Sequence, residues 1–285
     1  NKDKSRSKLL RTLCQIPGIY IPSLYSPEYS KDGELLKVEP IAEDIPETIS
    51  KQTWRGNNLC HSSVITPNSA WPNIHMVEIV RSCPELCRFC LASYLTLPFR
   101  SASFQENLIP AVEKGLKVTN RLGLLGASVT QHPEFEDLLN WLNKDKFDDI
   151  QLSLSSVRAA TVNLKMTKIL QKRGSKSLTI AIESGSERIR NIINKKLNED
   201  EIFSAAKYTH EAGLKGLKLY GMVGIPTEQN IDIEATADLL LRIKQKTKGL
   251  RLTLGISTFV PKAHTPFQWN GVDSNAKQRI KKLTK

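Results

Sequence analysis

No run of apolar residues in this 285-residue chain is long enough to span a bilayer, and no leader of basic, apolar and small residues is present, so neither membrane insertion nor secretion is expected. Cysteine is scarce. The five present are too few and too unevenly spaced for a disulfide framework, which predicts reduced thiols and a cytoplasmic setting. No internal repeat points to a solenoid, and no low-complexity tract points to disorder. Acidic residues fall short of basic ones, 29 against 41, leaving a formal charge of +12 that favours polyanions such as RNA or an anionic membrane surface. The excess is scattered over segments such as EKGLK, KMTKILQKR and RIKQKTK, as on solvated helix faces, and no aromatic-basic binding module gathers it. The chain opens on Asn and stops inside NAKQRIKKLTK, a basic stretch of helical spacing without a cap, and is expected to be a piece of a longer protein.

A chain of this length buries a sizeable core as one large α/β domain or as a barrel with an appendage. Residues 1–72 are punctuated by Pro and Gly in PGIYIPSLYSP, KDG and TPNSAWPN, which predicts a loop-rich extension with one short helix around KLLRTLCQI. From residue 73 the pattern changes. Short apolar runs at 75–80, 122–127, 150–156, 178–183, 217–224 and 252–260 alternate with segments of helical period such as PEFEDLLNWLNK and IDIEATADLLLRIKQKTK. Gly174 and Gly213 follow helix ends, and Ser186 with Glu187 reads as an N-cap and acidic first turn. Strands joined by crossover helices run parallel, and nearly continuous apolar runs predict burial on both faces. Six units fall short of a closed eight. The expected fold is α/β: a (βα)6 partial TIM-like barrel over 73–270, an irregular N-terminal extension over 1–72, and the start of a C-terminal helix over 271–285. Polar residues gather where the strands end, the edge at which such folds build their sites.

Cys83, Cys87 and Cys90 crowd into VRSCPELCRFCLASYLTLPFR. Zinc would take these three with His61 or His75 in a closed structural site. Zinc ligands usually come as paired knuckles across a longer loop, whereas C-x3-C-x2-C wraps three sulfurs around one small object. Soft thiolates packed this way suit an iron–sulfur cluster, whose cubane form takes four ligands. Cys60 lies 23 residues before Cys83, with no ligand knuckle around it. The spacing favours a cluster with one iron left open for chemistry, and a zinc or closed-cluster scaffold without catalysis is the alternative.

The cysteine spacing after a first barrel strand, with Phe89 directly before the third cysteine, resembles the radical S-adenosylmethionine (SAM) superfamily, and the likeness runs over residues 75–269. It implies a 4Fe-4S cluster on Cys83, Cys87 and Cys90, with SAM chelating the open iron. It also implies reductive cleavage to methionine and a 5′-deoxyadenosyl radical, and a reductant such as flavodoxin or ferredoxin. Residue by residue, LLGASVTQHP stands where the family has its Gly-rich turn, with Gly126, Ala127 and Ser128 in place of GGE. IAIESGSERIR resembles the fourth-strand segment and gives Glu183 and Ser184 to the SAM ribose or amino group. Lys195 of NIINKKLN stands where many relatives have an Arg that pairs with the methionine carboxylate. Met222 and Val223 of GLKLYGMVGIPTE would lie against adenine. Arg158, ending a strand that faces the cavity, is the arginine expected beside the cluster or an anionic substrate, ahead of Arg81 and Arg100; His132 and His264 are expected to be structural.

Two further stretches, IPGIYIPSLYSPEYSKDG and STFVPKAHTPFQWN, resemble an uncharacterised group of radical SAM proteins that commonly carry a cobalamin-binding-type domain before the core. Such a domain would precede residue 1, so cobalamin is expected only through a part absent from this chain. A methylthiotransferase-like modifier of RNA or protein is the sister expectation. It calls for a second three-cysteine domain before the core and a small RNA-binding β-barrel after it, and residues 1–72 hold two lone cysteines and no such module.

Overall fold

Residues 2–283 are described in the computed structural model, and they divide into two compact units, Asn1–Gly56 and Asn57–Lys285. The first unit holds a helix, Lys2–Cys14, and an antiparallel hairpin of Tyr25–Tyr29 with Leu35–Pro40. Its turn is closed by the Glu34 N–H donating to Ser30 Oγ at 3.0 Å, with Gly33 at φ 82°, where a side chain would be strained. A small core of Cys14, Leu24, Tyr25 and Ile45 holds it together, and the Tyr25 hydroxyl donates to the Pro46 carbonyl at 2.7 Å. The sequence predicts loop here, because Pro27 and Pro40 interrupt both runs; a two-stranded ribbon with open edges tolerates them.

Besides a two-residue antiparallel ribbon, the described residues of the second unit carry six barrel strands: β1 His75–Glu78, β2 Arg121–Leu125, β3 Gln151–Leu154, β4 Ser177–Glu183, β5 Gly216–Val223 and β6 Arg251–Thr258. All are parallel, in two arcs, β1-β2-β3 and β4-β5-β6, joined by a parallel bridge between Val157 and Ile180. The result is the expected six-stranded partial barrel. The outer edge of β1 is covered by residues 60–62, where Ser62 N donates to the Met76 carbonyl and Glu78 N to the Cys60 carbonyl, both at 2.8 Å. Residues 57–72, irregular by composition, therefore belong with this unit.

Besides a single turn at Leu91–Tyr94, the described residues form seven helices after the strands: α1 Ile109–Leu116, α2 Phe135–Leu142, α3 Leu164–Lys172, α4 Glu187–Ile192, α5 Glu199–Glu211, α6 Asn230–Lys246 and α7 Ala276–Leu283. Their starts follow from polar caps. Asn163 accepts from Met166 N, Ser186 from Ile189 N, and Asn198 forms a reciprocal capping box with Glu201. Gly174 and Gly213, both at φ 79°, close α3 and α5. The expected C-terminal helix corresponds to α7, and residues 284–285 of that expectation lie outside the described residues. Among the described residues no helix is long and apolar enough to cross a membrane.

One expectation is overturned. Burial along β4 reads intermediate, buried, intermediate, buried to its end, and β5 alternates likewise. Leu178, Ile180, Leu217 and Leu219 face the helices, packed with Met166, Ile169, Ile202, Ala205, Leu239 and Ile243. The opposite face bears Thr179, Lys218, Tyr220 and Thr253 and is not buried. β4 and β5 are thus covered on one side and the inner face of their arc is polar, whereas β2 keeps three consecutive buried residues, Leu122 to Leu124.

Candidate functional site

β1 is followed by a two-residue antiparallel ribbon, Val80–Arg81 against Arg100–Ser101, which pinches the base of the segment carrying the three cysteines. Ser82 and Leu86 adopt left-handed φ of 73° and 57°. The loop bonds to itself: Ser82 Oγ donates to the Ala92 carbonyl at 3.0 Å, Ser93 Oγ accepts from Leu86 N at 3.2 Å, and Cys90 N donates to the Cys87 carbonyl at 3.0 Å. It is also clamped from outside. Asn194 donates to the Leu86 carbonyl at 2.8 Å, and Arg88 N to the Ile193 carbonyl at 2.9 Å, fixing the loop to the segment after α4.

The loop roofs a cavity of about 180 Å³. Cys83, Cys87, Cys90, Phe89, Ala127, Ser128, Arg158, Glu183 and Lys195 all line it, nine of the thirteen residues expected from sequence. The other four do not. Gly126 sits just behind the wall, where an added Cβ would come within 2.4 Å of the Val80 side chain, so the turn needs a residue without one. Ser184 is buried, with its carbonyl accepting from Arg190 at 3.0 Å. Met222 packs beside Phe89 on a cluster of Ile189, Ile193, Ile225 and Phe259. Val223 faces the other way, into a core with Ile233 and Ala276.

Glu183 reaches the cavity because β4 ends irregularly. The β4–β5 register shifts between Ala181 and Glu183, and Glu183 takes a left-handed φ of 64°, which turns the chain. Its carboxylate accepts from Lys195 Nζ at 3.0 Å. The Lys195 ammonium, expected to meet a ligand carboxylate, is engaged by this protein carboxylate.

Two residues missed in the sequence complete the rim. Glu85, between the first two cysteines, pairs with Arg158 at 2.8 Å and accepts from Gln131 Nε2, while Ser128 Oγ donates to Gln131. This chain of polar contacts links the loops after β1, β2 and β3. Its sequence signal was faint: a carboxylate inside a cysteine motif has no visible partner until the fold brings Arg158 to it. The remaining candidates lie elsewhere. Arg81 pairs with Glu78, and Arg100 donates to the Thr96 carbonyl at 3.2 Å. Both His132 nitrogens are bonded, to the Ala102 carbonyl at 2.7 Å and Glu134 N at 3.0 Å, a structural role; His264 is exposed. His75 bonds the Ala111 carbonyl at 2.9 Å and His61 lines a separate cavity, so neither closes the cysteine set.

Among the described residues no three His, Cys, Asp or Glu side chains converge as donors to one ion would. The three thiols line a shared space instead. That suits a cubane, which takes each thiolate on a different iron. Burial pushes the Cys87 thiol up to about 11, against the pull of Lys195, so a metal bound there would have to displace its proton.

Comparison with known proteins agrees with this architecture. A sequence model of the Radical SAM superfamily matches residues 77–240. An uncharacterized protein of Methanocaldococcus jannaschii is 36% identical over 220 residues, covering 76% of this chain and 47% of that protein. A tRNA-2-methylthio-N(6)-dimethylallyladenosine synthase of Pseudothermotoga lettingae is 22% identical over 210 residues, covering 70% and 47%. The chain thus spans about half the length of these relatives. Among solved structures, a radical S-adenosylmethionine methyltransferase of Kitasatospora setae, TsrM, superposes with a TM-score of 0.56 at 9% identity, over 70% of this chain and 41% of that one. OxsB, a cobalamin-dependent S-adenosylmethionine radical enzyme, gives 0.52 at 15% identity, over 83% and 34%. At these identities the likeness is one of fold.

Proposed function

The chain belongs to the radical SAM superfamily, and from that premise we propose that it is the catalytic core of an enzyme that cleaves SAM reductively at the cavity under the cysteine loop. The observation that carries the reading is the convergence of three cysteines, Glu183–Lys195 and Arg158–Glu85 on one small cavity at the strand ends. Cys83, Cys87 and Cys90 would hold the 4Fe-4S cluster. Bound there, the cluster would provide the reducing electron that the cleavage of SAM requires.

The chain's own residues bind and orient. Glu183, on its left-handed corner, offers a carboxylate to ribose hydroxyls or an amino group; Ala127 and Ser128 line the cavity from the turn after β2, and Phe89 forms an apolar flank. Glu85, tied to Arg158 and Gln131, keeps the cysteine loop in register with the turns after β2 and β3. Residues 73–270 would form this core, and a flavodoxin- or ferredoxin-type reductant and a cytoplasmic setting belong to the same reading. The relatives' names point to methyl or methylthio transfer as the reaction class, with cobalamin entering only through a domain outside this chain. Nucleic acid as a partner rests on those names and on the scattered positive charge alone.

Anaerobic reconstitution with iron and sulfide, followed by SAM and a reductant, tests the proposal. About four irons per chain and release of 5′-deoxyadenosine are expected. Stoichiometric zinc in place of iron, or a loaded cluster that never cleaves SAM, would favour the non-catalytic scaffold.

A further inference from the structure

The inner face of the β4-β5-β6 arc, below the cysteine cavity, takes no part in the proposed reaction. In a closed TIM barrel this space is filled by bulky branched side chains. Here the inward positions are Thr179 and Ala181 on β4, Lys218 and Tyr220 on β5, and Thr253 and Gly255 on β6. Register aligns them in rows: Thr179, Lys218 and Thr253 stand side by side, and the next row up is Ala181, Tyr220 and Gly255. The small residues make room. A Cβ at Gly255 would lie 3.1 Å from the Tyr220 ring, so that ring lies across the glycine and stays 55% exposed.

The charges on this face do not balance. Its carboxylates are taken, Glu78 by Arg81 and Glu183 by Lys195. Three further cations have no carboxylate. Among the described residues the Lys218 ammonium makes no hydrogen bond or ion pair, nor does the Arg251 guanidinium at the foot of β6, and Arg121 donates only to the Pro72 carbonyl. An exposed lysine on an outer helix needs no explanation. Lys218 is exposed too, but the register sets it on the inner face of the arc, beside Thr179 and Thr253 and one row below Tyr220, as a donor set open to a ligand and without a protein acceptor.

We propose that this row is the anchoring site for the anionic group, a carboxylate or phosphate, of a small substrate. Lys218 supplies the charge, Thr179 and Thr253 supply flanking hydroxyls, and Arg251 adds to the field from below. The ring of Tyr220 then packs on the body of the molecule. Lys218 and Met222 are four residues apart, about 13 Å along the strand. A molecule held by its anion at Lys218 therefore extends upward and presents its far end below Glu183 and the cysteines. The inference deepens the proposed function and rests on its placing the reaction at that rim.

The test is calorimetric titration of the cluster-reconstituted full chain with pyrophosphate and, separately, with citrate, which distinguishes a phosphate from a carboxylate preference. Saturable binding is expected for at least one anion. It should weaken about tenfold in Lys218→Ala, recover in Lys218→Arg, and stay unchanged in Lys168→Ala, which removes a lysine from the outer face of α3. Binding that is absent, or equal in wild type and Lys218→Ala, would overturn the assignment. Because the titration needs no SAM cleavage, a missing 5′-deoxyadenosine signal tells against the rim reading, and a missing Lys218 effect tells against this one.

Discussion

Lys195 Nζ donates to the Glu183 carboxylate at 3.0 Å, joining the end of β4 to the segment after α4 across the cavity wall, with both side chains less than a fifth exposed. Neither residue has another charged partner within salt-bridge distance among the described residues. Replacing Lys195 with Met leaves a nearly buried carboxylate without its counter-charge, and the cavity gains negative potential where a ligand carboxylate would sit. Lys195→Met is expected to load iron normally yet bind SAM about tenfold more weakly, as read by equilibrium dialysis. Unchanged SAM affinity would mean that the pair serves only to hold the segment.

The five cysteines divide by location. Cys83, Cys87 and Cys90 line the cavity, Cys60 is exposed and accepts from Arg81 Nη2 at 3.3 Å, and Cys14 lies in the small core of the first unit. Single alanine substitutions at 83, 87 or 90 are expected to reduce reconstituted iron and sulfide severely, because a cubane held by two thiolates is labile. Cys60→Ala and Cys14→Ala should retain wild-type stoichiometry. Iron loss on replacing Cys60 would identify a fourth protein ligand and contradict the open-iron reading.

How far this was legible in the sequence depends on the range of the interaction. The six strands, their parallel order and the cysteine loop follow from local pattern and spacing, and nine expected residues meet at one cavity. The polar interior was equally present in SLTIAIE, GLKLYG and RLTLGIST, where every second residue is polar or small. Hydrophobic content alone suggested two-sided burial; the period of two carried the correct signal. Other features depend on the tertiary fold. Glu85 meets Arg158 from 73 positions away, and the left-handed turn at Glu183 arises from a register shift against β5. No local propensity predicts either.

Glu228 gives the fold a pH dependence. It is 7% exposed, and burial pushes its carboxyl up to about 7, even though Gly224 N donates to it at 2.7 Å and Arg279 stands 3.8 Å away. Between about 4.5 and 7 the unfolded chain releases this proton while the folded chain keeps it. Stability contributed by Glu228 is thus full below the unfolded value and lost as pH rises through 7, by about 3 kcal/mol in all. Glu228→Gln retains an acceptor for Gly224 and is expected to remove this slope. Urea denaturation of both proteins at several pH values from 4.5 to 8 would show parallel behaviour if the carboxyl were not involved.

Arg190 shows how the fold holds the rim without touching it. The side chain is 1% exposed and, among the described residues, has no carboxylate within salt-bridge distance; it donates instead to the carbonyls of Ser184 at 3.0 Å, Gly185 at 2.8 Å and Leu197 at 2.8 Å. These carbonyls bracket the whole segment that delivers Lys195 to the cavity. Gly185 is held further by its N–H donating to Thr236 Oγ1 at 2.9 Å, where an added Cβ would come within 2.4 Å of the Thr236 backbone. Arg190→Met fills similar volume but leaves three buried acceptors unmatched, at a cost of about 3 kcal/mol. Arg190→Lys cannot span all three and should recover only part of it. Both variants are expected to lower the urea midpoint and, in whatever remains folded, to weaken SAM binding along with Lys195→Met. Loss of stability with full SAM affinity would separate the scaffold from the site it supports.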